Sequence, residues 1–445
     1  MFNKVLIANR GVIALRIMRA CRALGVRAAA IYSEADAASP HVAEADEAVL
    51  VGPPPAAASY LNIEAILAAA RQTGAEAIHP GYGFLAENAE FARRCELAGR
   101  VFIGPPAGVI EQMGDKAAAR RLMQAAGLPV VPGTSDYLPA GPAEVLALAE
   151  SIGYPVLIKA AAGGGGIGMT LAAGPDKLLK GVEQARRRAQ QAFGNPALYL
   201  ERAIPRPRHV EVQLLGDHQG GLIHLFEREC SVQRRHQKVL EEAPAPGLEP
   251  DLRTRLAEAA LAAGRAVGYQ NAGTVEFMLD AERNFYFLEM NTRIQVEHGV
   301  TELVCGVDLV QEQIRLAAGE PLSIRPEALG PRGHALECRI YAEDPVTFYP
   351  SPGTITAYEA PRGEHIRLES WAAAGSVITP FYDPLLAKLI VWGAERVEAI
   401  ERARAALAQF RIEGIKTNIP LHQRILAEPA FVGGQYDVEL LSRMG

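Results

Sequence analysis

Several features are missing from this chain, and each absence narrows what it can be. Only five cysteines occur, at positions 21, 95, 230, 305 and 338, and no two form a CxxC pair. Neither a zinc ribbon nor a disulfide framework is therefore expected, and the thiols read as reduced. No run of about eighteen apolar residues is present, and the apolar stretch in "MFNKVLIANR" is too short for a signal peptide. A cytoplasmic protein without a membrane span is expected. Excess positive charge is missing as well. The formal net charge of −6 argues against nucleic acid or an anionic membrane as the main partner. The first strand-to-helix turn, "ANRGVIA", carries Gly11 alone instead of GxGxxG, so a nicotinamide fingerprint is absent. The later tract "AAAGGGGIGMT" lacks the GK[ST] that would open a helix in a P-loop.

What is present is a change of pattern along the chain. At 445 residues, more than one domain is expected. "KVLIA" (4–8), a helix over 12–24, a strand over 26–32, helices over 62–72 and 86–98 and the strands in "AEAIHP" and "RVFIGP" alternate β with α. This predicts a parallel, doubly wound sheet over the first 105 or so residues. A helix over 114–127 follows, with Asp115 as its N-cap. Residues 154–173 read as strand, glycine tract, strand: a hairpin whose glycines let backbone N–H groups come close to a ligand. Helix 176–193 and strand 197–203 complete a small lid-sized unit. From 204 onward the pattern is antiparallel, with a hairpin around "HQGG", a second one from 273–280 and 284–291, helices over 251–267 and 307–318, β character over 333–392 and an amphipathic helix over 396–409. The fold class is thus mixed, α/β first and α+β after.

One stretch does not read like a buried strand. In "EMNTRIQVEH" every odd position from 289 to 297 is polar or charged: Glu289, Asn291, Arg293, Gln295 and Glu297. A flat strand would spread these side chains over about 26 Å, at roughly 3.3 Å per residue. The chain is therefore expected to leave the strand near Asn291 and fold Arg293–Glu297 back toward the same pocket. Glu289 and Asn291 share a face, and Glu276 on the neighbouring strand faces away from Val275 and Phe277. Two carboxylates and an amide on one hairpin face suit Mg²⁺; a solvated sheet face would carry the same residues. Lys116 and Lys159 stand where a nucleotide binder would place cations, although lone lysines are common on surfaces. Gln233, Arg234, Arg235, His236 and Lys238 crowd after a strand. A glycine hairpin over phosphates, lysines to neutralise them and a carboxylate–amide metal face together meet the needs of phosphoryl transfer.

The chain closely resembles the biotin carboxylases, the ATP-grasp subunit or domain of acetyl-CoA carboxylase and related biotin-dependent carboxylases. The resemblance rests on "KVLIANRG", "AIHPGYGFLAEN", "MGDK", "IKAAAGGGGIGM", "RHVEVQ", "SVQRRHQKVLEEAPAPG", "GTVEFM", "EMNTRIQVEH", "HALECRIYAEDP", "SPGTI" and "GIKTN", in order over nearly the whole length. It implies an ATP-grasp enzyme with an N-terminal Rossmann-like domain (1–112), a linker helix and glycine-rich lid (113–203), a part bearing the metal and bicarbonate site (204–330) and an antiparallel β-rich C-terminal domain (331–445).

The resemblance also implies roles. Lys116, Lys159, Glu201, Arg202, Ala203, Ile204, His209, Gln233 and His236 would contact ATP, and Gly165 and Gly166 its phosphates. Glu276, Glu289 and Asn291 would hold Mg²⁺ or Mn²⁺, with Glu276 and Glu289 also facing the nucleotide. Lys238, Arg293, Gln295 and the Val296 backbone would bind bicarbonate, with Glu297 as general base. Arg339 would stabilise the biotin enolate, and Tyr82 would line the biotin side. No "AMKM"-like attachment sequence occurs, so biotin is expected on a separate biotin carboxyl carrier protein, with acyl transfer on carboxyltransferase subunits and this chain a homodimer. Several positions depart from the usual pattern: Ile167 for a basic lid residue, Ala161 and Ala162 for small polar or glycine residues there, Val12 for Glu, Gly299 for Pro, and Ala203 and Ile204 in a hinge segment. The alternatives are another ATP-grasp ligase and a non-catalytic, regulatory nucleotide-binding paralogue.

Overall fold

Five parallel strands open the chain, in the order Glu47–Gly52, Arg27–Ser33, Lys4–Ile7, Ala77–His79, Val101–Phe102. Alternate residues of the central strand enter two different cores. Val5 and Ile7 pack with Ile13 and Ile17, whereas Leu6 packs with Ile31, Ile66, Ile78 and Phe91. Burial on both faces is why the strand reads as a continuous apolar run. The helices between strands start where a side chain can serve an orphan N–H: Asn62 accepts from Ala65 and Asn88 from Phe91. The doubly wound sheet expected from the alternation is present. The computed structural model describes residues 1–161, 169–325 and 329–444.

The next unit is a three-stranded antiparallel sheet, Thr170–Ala172, Val156–Ala160, Leu198–Arg202, covered by the helix Pro175–Phe193. Asp115 does cap the helix Lys116–Ala125, accepting from Ala118. The two strands flanking the glycine tract pair as the hairpin reading requires.

An eight-stranded antiparallel sheet dominates the rest. Its order is Phe285–Asn291, Asn271–Leu279, Arg208–Gly216, Leu222–Arg234, Gln237–Ala243, His334–Tyr341, Leu385–Gly393, Ile366–Ser370. The sheet runs unbroken across the boundary expected at 330–331, because Gln237–Ala243 pairs with His334–Tyr341. Two elements near the site are among those absent from the sequence reading. "QKVLEEA" is composed largely of good helix formers yet forms the strand Gln237–Ala243, because both of its edges are paired. The helix His298–Cys305 has no side-chain cap and a poor helical composition. Tertiary packing holds it: it lies on four strands of the sheet, and a Cβ at Gly299 would come within 2.4 Å of Ile390 Cδ1. That close approach brings Glu297, the N-cap residue, down onto the sheet.

Candidate active site

A band of charge crosses one face of the eight-stranded sheet. Glu289 lies opposite Glu276, Glu276 opposite Glu211, and Glu211 opposite Arg228. Further along, Glu241 faces Glu337, and Arg339 faces Lys388, which faces Glu369. Strand alternation puts directly opposed residues on one face. The sequence signal for this band is a single charge inside an apolar alternation, as with Glu211 in "HVEVQ" and Lys388 in "LLAKLIV".

Glu297 sits over the middle of the band, fully buried. Lys238 Nζ donates to its Oε1 at 2.7 Å and Arg339 Nη2 to its Oε2 at 2.8 Å. Burial alone would push Glu297 up, but Lys238, Arg339 and Arg228 outweigh it and hold the carboxyl well below its usual range. It is therefore ionised. Lys238 reaches three carboxylates at once, Glu211 at 2.5 Å, Glu276 at 2.9 Å and Glu297 at 2.7 Å. Arg228, with no exposed surface, fixes Glu211 from below and also donates to Gln213, Thr274 and Thr301.

The chain does leave the strand at Asn291, and the following loop folds back as expected. Arg293 donates to Asn291 Oδ1 at 3.0 Å and Gln295 Oε1 at 2.9 Å, and Gln295 Nε2 donates to Glu276 at 3.2 Å. Glu87, unnoticed in the sequence reading, anchors this loop from the N-terminal region by accepting from Arg293 Nε at 2.8 Å and Thr292 N at 3.1 Å. The basic cluster lies on a two-residue turn between paired strands. Arg235 and His236 both take positive φ, 49° and 66°, which for non-glycine residues stores strain. The turn orients Gln233 and Lys238 inward and leaves His236 exposed; Arg234 pairs instead with Glu343.

The proposed metal donors fit a hard divalent cation. Cross-strand pairing sets Glu276 against Glu289, and Asn291 shares the face of Glu289 two residues on. Burial would raise Glu276, yet Lys238 and His209 hold it well below the usual carboxylate range, so it offers a charged oxygen. Positive or polar side chains now take these oxygens: His209 Nε2 at 2.9 Å, Lys238 at 2.9 Å and Asn291 Nδ2 at 2.9 Å on Glu276, and Lys116 on Glu289.

Of the expected nucleotide contacts, Lys159 is buried against Glu201 at 2.7 Å. The N–H groups of Arg202 and Ala203 are taken by the carbonyls of Pro132 and Pro155, and Ile204 follows half-buried. His209 contacts Gln233 at 3.4 Å. Gly165, Gly166 and Ile167 lie outside the described residues. On the far side of Val296 a cavity of about 420 Å³ is lined by Tyr82, Val12, Tyr341, Trp371, Phe381 and Tyr382, among others. The Tyr82 hydroxyl is buried there without a hydrogen-bond partner. All five cysteines are free, and among the described residues no helix is long and apolar enough to cross a membrane.

Together the glycine-flanking hairpin, the paired carboxylates and the cation-held Glu297 carboxylate define an ATP-grasp protein. The chain matches the family models for the biotin carboxylase N-terminal domain over residues 1–110, the carbamoyl-phosphate synthase L chain ATP-binding domain over 115–325 and the biotin carboxylase C-terminal domain over 337–443. It is 54% identical to a biotin carboxylase of Halalkalibacterium halodurans, covering 98% of this chain and 96% of that one. Two solved structures each superpose with a TM-score of 0.97 over 100% of this chain. One is the biotin carboxylase–β,γ-ATP complex from Campylobacter jejuni, 45% identical and 99% covered. The other is the biotin carboxylase domain dimer of the Hydrogenobacter thermophilus 2-oxoglutarate carboxylase with MgADP, ADP and bicarbonate, 49% identical and 98% covered. The chain belongs to the biotin carboxylase family.

Proposed function

We propose that this chain uses ATP and bicarbonate to carboxylate biotin held on a separate carrier protein, as the first half-reaction of an acetyl-CoA or other acyl-CoA carboxylase. The observation that carries this reading is the double clamp of Lys238 and Arg339 on the buried carboxylate of Glu297, beside the Glu276–Glu289–Asn291 face. Lys116, Lys159, His209, Gln233, His236 and the Glu201–Ile204 segment serve the nucleotide. Glu276, Glu289 and Asn291 would hold Mg²⁺ or Mn²⁺, which when bound neutralises charge on the β- and γ-phosphates.

Bicarbonate is a poor nucleophile, and the residues answer that weakness. Arg293, Gln295 and the Val296 backbone orient the anion. As Lys238 turns from Glu297 to the bicarbonate oxygens, Glu297 loses a stabilising charge and becomes a stronger base. Glu297 takes the bicarbonate proton as the oxygen attacks the γ-phosphate, giving carboxyphosphate and ADP. Carboxyphosphate breaks into CO₂ and phosphate, and phosphate takes the ureido N–H proton of biotin. Arg339, always charged and offering several donors, holds the biotin oxyanion while the ureido nitrogen attacks CO₂. Water must be kept out for carboxyphosphate to survive.

The division at 112, 203 and 330 belongs to this proposal, as do the carrier protein, carboxyltransferase subunits, a homodimeric state and a cytoplasmic location. The Hydrogenobacter thermophilus relative, described as a dimer, supports the homodimer. The test is ADP release by the purified chain with free biotin. Turnover is expected to require bicarbonate and to rise with biotin; turnover indifferent to both refutes the reading.

A further inference from the structure

The loop that carries Gln295, Val296 and Glu297 is gripped from beneath by two buried side chains. His298 Nδ1 donates to the Gln295 carbonyl at 2.7 Å, and Lys388 Nζ donates to the Val296 carbonyl at 2.6 Å. Lys388 has no exposed surface. It interrupts the apolar strand Leu385–Gly393, where an aliphatic residue would avoid the cost of burying a charge. Glu369, 2.8 Å away, offsets that cost, and Glu337 lies at 3.6 Å. Arg367 and, at 3.4 Å, Arg16 also contact Glu369, so it keeps cationic partners besides Lys388. An ammonium has three donors; the one aimed at Val296 meets the peptide directly before Glu297.

That peptide matters because of the conformation beyond it. Glu297 has φ −80° and ψ 13°, in the sparsely populated bridge region. The loop between the strand ending at Asn291 and the helix starting at His298 has no ladder to hold it there. We infer that Lys388 is a positioning residue: by fixing the Val296–Glu297 peptide it aims the Glu297 carboxylate at bicarbonate. The inference rests on the proposed function and assigns Lys388 no contact with substrate.

The test is steady-state ATP turnover by Lys388→Met in the full chain, varying bicarbonate and ATP separately. The KM for bicarbonate is expected to rise about tenfold or more with a fall in kcat, while the KM for ATP stays within about twofold. Lys388→Gln keeps a neutral donor beside Glu369 but is too short for Val296. It is expected to show the same split, and it carries the test if the methionine variant does not fold. Wild-type turnover that ignores bicarbonate overturns the proposed function and this inference together. Bicarbonate-dependent wild-type turnover, with both KM values shifted alike or neither shifted in the variants, overturns the Lys388 role alone.

Discussion

Glu241 and Glu242 are consecutive on the strand Gln237–Ala243 and leave it on opposite faces, both fully buried. Glu242 is matched on every side. Arg396 donates to it at 2.6 and 2.9 Å, and His334 and Tyr436 complete the set. Burial would raise its pKa, but these donors pull it down to about 2. Among the described residues Glu241 meets a single cation, Arg339, 2.5 Å away. Burial pushes it up to about 7, with Glu297 adding repulsion against the pull of Arg339. Its cross-strand partner Glu337 rises to about 8. One face of the sheet closes its charges into complete sets, joining the C-terminal helices to the sheet. The other leaves cations shared among several acids, as Lys238 is among Glu211, Glu276 and Glu297.

The largest effect that sharpens this contrast is on the open face. Glu297→Gln should lower bicarbonate-dependent ATP turnover about 10²- to 10⁴-fold, read as ADP release, with ADP binding preserved by calorimetry. Next comes the closed face. Glu242→Gln leaves Arg396 and His334 facing a neutral amide and should cost about 3 kcal/mol in denaturant unfolding. Activity per folded molecule should be retained. The Glu242 carboxylate stabilises the fold above its unfolded value of 4.5, a contribution lost as pH falls toward about 2. The variant should lack that acid loss. Glu337 has the opposite sign: raised from 4.5 to about 8, it favours the fold at low pH and opposes it as pH rises through that window. Glu337→Gln should therefore be more stable than wild type at pH 8, with no advantage below pH 4. The smallest effect is expected at Arg411, an exposed cation between Glu359 and Glu413. Arg411→Ala should leave the melting temperature unchanged within about 1 °C. A clear drop there would mean that burial is not what separates the two faces.

Much of the site was legible because unusual residues stand in rigid patterns. The period-two spacing of Glu289 and Asn291 with Glu276 opposite held in the structure, as did the departure of the chain at Asn291. Glu87 was not legible, since nothing within "GFLAEN" says that it reaches Arg293 more than two hundred residues away. Nor was the helix His298–Cys305, whose composition opposes it and whose packing supports it.

By itself, the sequence determined the local matters: the βα alternation, the hairpins and the capped helices. These follow from periodicity and turn chemistry within a few residues. Only the tertiary structure decided which charges share one carboxylate, which glutamate of an adjacent pair burial pushes up, and that Lys388 lies beneath the peptide before Glu297. Those outcomes depend on burial and on distances of a few ångströms between strands far apart in the chain, and electrostatic energy inside a protein turns on both.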